Sequence, residues 1–370
     1  MLEKVFKHSK SSSAALKEEE KALLEYVNSN MPGITHESSR SSYAVRRYVF
    51  SVENPNVIRL YRTRDQREIL NLVMKTRGDA ECTVERDEGK LVISVPRKDK
   101  KTLWLGDGIE YLQSIQKKKN ELICYVGERE DGKPAIVDFV TNPHWMVAGY
   151  TGSGKSVCLN NMLFTLLDRY ADDELHIYIA DDKASLTHMD GIKQVKMQAD
   201  NPQDILAMFI QLKSILTERK GQLNGQKIET YNKTHKERMP RIIVFFDEAD
   251  SIIGRNTATS KVISDQVRSI VRQLVSESRY AGIHLVLASQ KPAGVNIDTT
   301  IKSNIAGRIA LKVANKSDSR VVMDEKGAEA LLGDGDAYML QEGSAKARIQ
   351  CAYASDDEIK LAKKELTLSP

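Results

Sequence analysis

Gly149-Tyr150-Thr151-Gly152-Ser153-Gly154-Lys155-Ser156 is the stretch that decides how this chain is read. It fits the pattern G-x-x-x-x-G-K-[ST] at every position. The apolar run Trp145–Ala148 before it reads as a strand, and Val157 to Leu167 after it reads as an apolar helix. Strand, glycine-rich turn and helix in that order form the context in which such a turn grips phosphate. Glycines let successive backbone N–H groups point inward at phosphate oxygens. The helix N-terminus adds the positive end of its dipole. Gly149, Tyr150, Thr151, Gly152, Ser153, Gly154, Lys155, Ser156 and Val157 are therefore the expected nucleotide cradle. Lys155 reaches the β- and γ-phosphates, and the Ser156 hydroxyl holds Mg²⁺.

Downstream, Ile242-Ile243-Val244-Phe245-Phe246-Asp247-Glu248 is an apolar strand that ends in two acids, roughly 90 residues after the glycine turn. Ligands bind at the C-terminal edge of strands in open α/β sheets. Asp247 is the expected Mg²⁺ partner and Glu248 the expected base that polarises the attacking water. The paired glutamate favours hydrolysis coupled to work over a simple nucleotide switch. The next strand, HLVLASQ, ends at Ser289-Gln290. Gln290 can touch the γ-phosphate, or it can simply cap the strand. Asp181 and Asp182 end the strand LHIYIAD and either support the metal site or are solvated.

WMVAGY, LHIYIAD, RIIVFFD and HLVLASQ alternate with helical stretches. Continuous apolar strands of this kind belong to a parallel sheet covered on both faces. Residues 141–355 are expected to form this α/β core, with 356–370 as a tail. Upstream, residues 46–140 read as a smaller α+β domain. Tyr48–Val52, Val57–Tyr61, Cys82–Arg86 and Lys90–Val95 are β-like, and Arg64 to Thr76 reads as a helix. Asp87-Glu88-Gly89 reads as a hairpin turn. LICYVG and AIVDF are two more short strands. Residues 1–45 read as an arm or linker, with a helix from Ala14 to Val27 and a loop from Asn28 to Ser42 broken by Pro32 and Gly33.

The bulk numbers are those of a soluble globular chain. Of 370 residues, 41% are apolar and 29% charged, and the net charge of +4 does not by itself indicate nucleic-acid binding. Cys82, Cys124, Cys158 and Cys351 lack the short spacing of a zinc or redox site and read as reduced thiols. No run approaches the roughly 20 apolar residues that span a bilayer. A cytoplasmic location is expected. Arg46, Arg47, Arg59, Arg62, Arg64 and Arg67 cluster, as do Arg97, Lys98, Lys100 and Lys101, with Lys117 to Lys119 a third group. They read either as a DNA-facing collar or as a solvated face.

AGYTGSGKSVCLNNML, VFFDEADSIIG, YAGIHLVLASQKP, IKSNIAGRIALKV and DSRVVMDEKGAEALLGDGDAYM together resemble the FtsK/SpoIIIE family of DNA-pumping ATPases. VPRKDKKTLWL and VGEREDGKPAIVDF extend the resemblance upstream. It implies a RecA-like P-loop NTPase core with a mainly parallel sheet. It also implies assembly into a ring, commonly a hexamer, around double-stranded DNA, with ATP held between subunits. A neighbour then supplies an arginine finger. Arg279 matches that position best, and Arg308 is the second candidate. The resemblance assigns pore-facing DNA contacts to Lys291, Lys302, Lys316 and Arg320. The family's large members carry membrane spans and a C-terminal winged-helix module, neither of which is visible in this sequence. A plasmid, phage or integrative element is the expected source of such an architecture.

The leading expectation is an ATP-dependent double-stranded DNA translocase. A conjugative coupling ATPase, which hands a relaxase-bound strand to a membrane-anchored secretion component, is the first alternative. A type VII-like protein-export ATPase is the second, and a non-catalytic nucleotide-dependent scaffold the third.

Overall fold

The computed structural model describes residues 2–7, 14–41, 43, 45–54, 58–61, 63–74, 82–87, 89–96, 102–183, 186, 189–254, 259–290 and 299–368. Its contacts divide the chain into two units. One comprises residues 8–103 and 128–133, the other 1–7, 104–127 and 134–370.

The smaller unit runs α1 (Ala14–Asn30), β1 (Ile34–Ser41), β2 (Val45–Val52), α2 (Ile58–Tyr61), α3 (Arg64–Val73), β3 (Thr83–Asp87) and β4 (Lys90–Pro96). Its four strands form an antiparallel sheet in the order β1-β2-β4-β3. The expected hairpin is present, with Asp87 paired to Lys90 and Gly89 at φ 83°. Leu23, Val27 and Met31 of α1 share one buried cluster with Tyr48 and Phe50 of β2, Leu70 of α3 and Leu91 and Ile93 of β4. This corrects the arm-or-linker reading of residues 1–45, because α1 covers the sheet. Two local expectations also change. The stretch read as a loop from Asn28 to Ser42 contains β1, an edge strand whose Ser- and Thr-rich pattern hides it from a hydrophobicity count. Ile58–Tyr61, read as a strand, is a helical turn that buries Ile58 and Tyr61 three residues apart. Val57 lies outside the described residues.

The larger unit runs α4 (Leu105–Ser114), β5 (Ile123–Arg129, whose last two residues fall in the smaller unit), β6 (Pro134–Asp138), β7 (His144–Ala148), α5 (Lys155–Arg169), β8 (Leu175–Asp181), β9 (Val195–Ala199), α6 (Pro202–Leu223) and α7 (Ile228–Thr234). It continues with β10 (Arg241–Asp247), α8 (Ala249–Ile253), α9 (Lys261–Glu277), β11 (Ile283–Ser289), α10 (Thr299–Ser303), β12 (Gly307–Leu311), α11 (Lys316–Met323), β13 (Asp336–Leu340), β14 (Ala347–Cys351) and α12 (Asp356–Leu368). Ten strands form one sheet in the order β6-β5-β14-β13-β12-β7-β11-β10-β8-β9. The six from β12 to β9 are parallel, whereas β13 runs antiparallel to β12 and β14 antiparallel to β13.

Strands β5 and β6 therefore extend the large sheet, and the boundary expected near residue 140 falls earlier, at Trp104. Residues 356–370, expected as a tail, contain α12. It starts with a capping box, in which the Glu358 carboxylate accepts from Ser355 N–H at 2.9 Å, and it buries Ile359 and Ala362. At the other end Leu2 and Phe6 are buried, and the Phe6 ring meets Phe164 edge-on at 5.8 Å.

Alternation along β10 explains its unbroken apolar run. Ile242, Val244 and Phe246 face a cluster built with Phe209 and Leu212 of α6 and Val267, Val271 and Leu274 of α9. Ile243 and Phe245 are equally buried on the opposite face. Each such side chain contributes about 1.5–3 kcal/mol on burial. The parallel register aligns the strand ends, with Asp247 beside Asp181 and Ser289 beside Ala148. The carboxyl ends of β7, β8, β10 and β11 thus share one edge of the sheet.

Candidate nucleotide site

Gly149 leaves the end of β7 and its N–H donates to Ser289 O at 3.1 Å, while Tyr150 N–H donates to Lys312 O at 2.9 Å. The loop is thereby fastened to the strand on one side and to the segment after β12 on the other. Gly152 and Gly154 sit at φ 85° and 97°, in the left-handed region that a side chain disfavours. Gly154 then starts α5, whose first residues are Lys155, Ser156 and Val157. Of these, Lys155 is buried and the other two are partly exposed. Thr151 and Gly152 are exposed at the tip, and Ser153 is buried.

The Lys155 ammonium lies between the two acids at the end of β10. It forms an ion pair with Asp247, and its distance to Glu248 Oε1 is 2.9 Å. All three side chains are at most 3% exposed. Burial of two carboxylates and one ammonium is tolerable only because the charges meet. Glu248 has left-handed backbone angles, φ 49° and ψ 38°, and precedes α8. The second Glu248 oxygen is 3.3 Å from the ammonium of Lys183, a residue just beyond β8. Burial acts to lower the Lys183 pKa, but the carboxylates of Glu248, Asp182 and Asp250 together outweigh it and hold it above the usual lysine value.

Gln290 joins this group through Thr151, whose hydroxyl donates to Gln290 Oε1 at 2.7 Å. Asp181 is buried, beside Asp247, and not solvated. Its carboxylate accepts from the N–H groups of Lys183 at 3.1 Å and Leu186 at 2.6 Å, shaping the turn after β8. Asp182 accepts from Ser251 Oγ of α8 at 2.8 Å, and burial raises its pKa. Burial also raises the pKa of Asp250, on the same helix.

A second loop braces the cradle from behind. Gly335 N–H donates to Ser153 O at 2.9 Å, and a Cβ on Gly154 would lie 2.8 Å from that same nitrogen. The loop is itself fixed. Asp336, 3% exposed, takes both Nε (2.9 Å) and a terminal nitrogen (2.8 Å) of Arg348, and accepts from Leu332 N–H at 2.8 Å. Gln350 donates to Asp334 O at 2.6 Å. These contacts give a physical reason for the LLGDGDAYM segment, with Gly333, Asp334 and Gly335 all at positive φ.

The other candidates stand elsewhere. Arg279 is exposed in a 3₁₀ turn before β11, at the opposite end of that strand from Ser289. The nearby Glu277 pairs with Lys220. Arg279 lines a cavity of about 720 Å³ together with Phe139, Lys227, Tyr280 and His284. Arg308 is committed within its own subunit, since it pairs with Asp324 and donates to Val322 O at 3.1 Å. Lys302 shares Asp324, at 2.7 Å. Lys316 and Arg320 are exposed one turn apart on α11. Lys291 lies outside the described residues.

In the basic clusters, Arg62, Arg97, Lys98, Lys100 and Lys101 are likewise outside the described residues, as is the side chain of Arg64. Arg46 is 3% exposed and so corrects its place in a solvent-facing collar. Lys117 to Lys119 belong to the larger unit, where Lys117 pairs with Glu174. All four cysteines are buried free thiols.

Lys183 and the Gly335–Asp336–Arg348 brace are the site-supporting residues that sequence reasoning did not assign. A lysine directly after two acids at a strand's carboxyl end was the available signal for the first.

The profile of the FtsK/SpoIIIE family matches residues 112–330. Among curated proteins, DNA translocase FtsK of Leptospira interrogans is 33% identical over 281 residues, covering 72% of this chain and 29% of the relative. DNA translocase FtsK of Treponema pallidum is 33% identical over 310 residues, covering 78% and 37%. The chain thus spans about a third of the length of these relatives. Among solved structures, the pCW3 conjugation coupling protein TcpA, in monomer form with ATPγS, superposes with a TM-score of 0.64 at 21% identity, over 95% of this chain and 99% of that one. The cytoplasmic domain of the Thermomonospora curvata type VII secretion ATPase EccC gives 0.60 at 20% identity, over 70% and 32%.

Proposed function

Because the chain belongs to the FtsK/SpoIIIE family, we propose that it hydrolyses ATP and uses that hydrolysis to move double-stranded DNA. One observation carries this reading. The glycine turn, Lys155, Asp247, Glu248 and Gln290 converge at one edge of a parallel sheet. In the proposed cycle the loop's backbone and Lys155 hold the phosphates, Glu248 activates water, and Gln290 reports the γ-phosphate to the glycine turn through Thr151. Ser156 and Asp247 supply hard oxygen donors at the ends of α5 and β10, and Mg²⁺ needs only one or two such protein ligands beside substrate phosphates. They fit that ion, which neutralises charge on the β- and γ-oxygens when bound.

The proposed arginine finger is Arg279. Strand β11 separates it from its own cradle by roughly 20 Å. It therefore serves a neighbour's nucleotide, which supports a ring assembly, proposed as a hexamer. Lys316 and Arg320 are the proposed contacts to DNA phosphates, and Lys291 and Lys302 are secondary candidates. No described helix is long and apolar enough to cross a membrane; we assign the activity to the cytoplasm.

Steady-state ATP turnover with and without linear duplex DNA, across a salt series, tests the reading. Stimulation by duplex that fades as salt rises is the expected result. Turnover indifferent to DNA refutes the DNA half and favours a protein-handling motor. A second reading, delivery of DNA in conjugation with a relaxase or a membrane-anchored secretion component, is favoured by the near-complete alignment with TcpA. Preference for single-stranded DNA, with capture of a relaxase, would select it.

A further inference from the structure

We propose that Lys183 is a positioning residue that holds the Glu248 carboxylate back until an anion draws its ammonium away. The proposal rests on the reading above, in which Glu248 activates water. Glu248 is 1% exposed, and its left-handed backbone fixes where the side chain leaves the chain. Each of its oxygens faces one ammonium, Lys155 at 2.9 Å and Lys183 at 3.3 Å. A carboxylate deprotonates water the less readily the more its charge is taken up by cations, so both contacts oppose that task.

The two lysines differ in what can remove them. Lys155 belongs to the cradle, and nucleotide phosphates recruit it. Lys183 lies outside the glycine turn, on the turn after β8. Its backbone is tied down by Asp181 at 3.1 Å, and the adjacent Asp182 is tied to Ser251 at 2.8 Å. Its side chain is nevertheless 52% exposed. An ammonium fixed at its base, resting on a buried carboxylate and open to solvent, suits capture by a polyanion. A phosphodiester backbone has that chemistry. Binding of duplex at this turn would then free one oxygen of Glu248, giving ATP turnover a dependence on DNA.

The test compares the full chain with Lys183→Met, Lys183→Gln and Lys183→Arg. ATP turnover is measured with and without linear duplex, together with the affinity for a fluorescent ATP analogue. Both neutral variants should raise DNA-free kcat about tenfold, within the usual range of coupling between two sites. They should leave KM and analogue affinity unchanged and shrink the stimulation by duplex in the same proportion, while Lys183→Arg behaves as wild type. DNA-free turnover at or below the wild-type rate in both neutral variants, with unchanged melting temperature, overturns the proposal. An exposed ion pair without a positioning role would give that result. A wild-type enzyme indifferent to duplex would sink the DNA reading, and the DNA-free ratio of variant to wild type would still decide the restraint on Glu248.

Discussion

Three side chains explain most of the chemistry proposed for this site. Lys155 neutralises two carboxylates that are essentially buried, and removing one partner of a buried cluster leaves uncompensated charge. Lys155→Ala should therefore lose nucleotide binding, as read with a fluorescent ATP analogue. The nucleotide-free protein should also lose about 3 kcal/mol in urea denaturation. Glu248→Gln preserves shape and removes the proposed base. It should bind the analogue with wild-type affinity and turn over at least about 100-fold more slowly. Equal turnover by this variant and wild type would remove Glu248 from the mechanism.

Two features matter at the level of elements. The first is the loop between the 3₁₀ turn at Ala328–Ala330 and β13, which carries the cradle's outer side through Gly335 N–H. Gly335 has φ 87°, and a Cβ there would lie 2.8 Å from Gln350 Nε2. Gly335→Ala should raise KM for ATP several-fold by displacing the brace. Gly343→Ala is the control, since Gly343 also has positive φ but nothing lies within 4 Å of its Cβ position. It should cost about 1 kcal/mol of stability and leave KM alone. The second feature is the pair of buried histidines at the starts of β7 and β11. Burial, with Arg279 adding to it, lowers the His144 imidazole from 6.5 to about 3. Burial likewise pushes His284 well below its ordinary value. Below pH 6.5 the unfolded chain takes up protons that the folded rings refuse, so stability falls as pH drops through that window. His144 Nδ1 accepts from Leu285 N–H at 3.2 Å, and asparagine can keep that acceptor. His144→Asn should flatten the fall in melting temperature between pH 6.5 and about 4.

For the whole molecule the decisive fact is that the cradle and Arg279 occupy opposite ends of parallel strands. A single subunit so built cannot bring the two together, and the proposed ring resolves this. Arg279→Ala subunits mixed with wild type should depress turnover more than in proportion to their share, whereas strictly proportional loss would rule out the trans assignment. The same logic ranks the DNA contacts. Lys302 is drawn to Asp324, while Lys316 and Arg320 are exposed on α11. Neutralising Lys316 and Arg320 should reduce the salt slope of DNA stimulation by about one per lost phosphate contact, with Lys302→Ala smaller.

From residue identities alone came the cradle, the acids at the end of β10 and the parallel core. Each of these is local. A glycine turn between strand and helix, or an apolar run closed by Asp247-Glu248, carries its meaning within a dozen neighbours. Edges and partnerships were not legible in this way. Strand β1 is polar because it lies at a sheet edge, and Ile58–Tyr61 is helical because two side chains three apart reach one core. Strands β5 and β6 read like part of the upstream domain, and only pairing assigns them to the large sheet. Lys183 meets Glu248 across 65 residues, and Gly335 meets Ser153 across an even longer stretch of chain. Such contacts depend on strand order and register, which are set by burial over the whole sheet and not by any segment's own propensity.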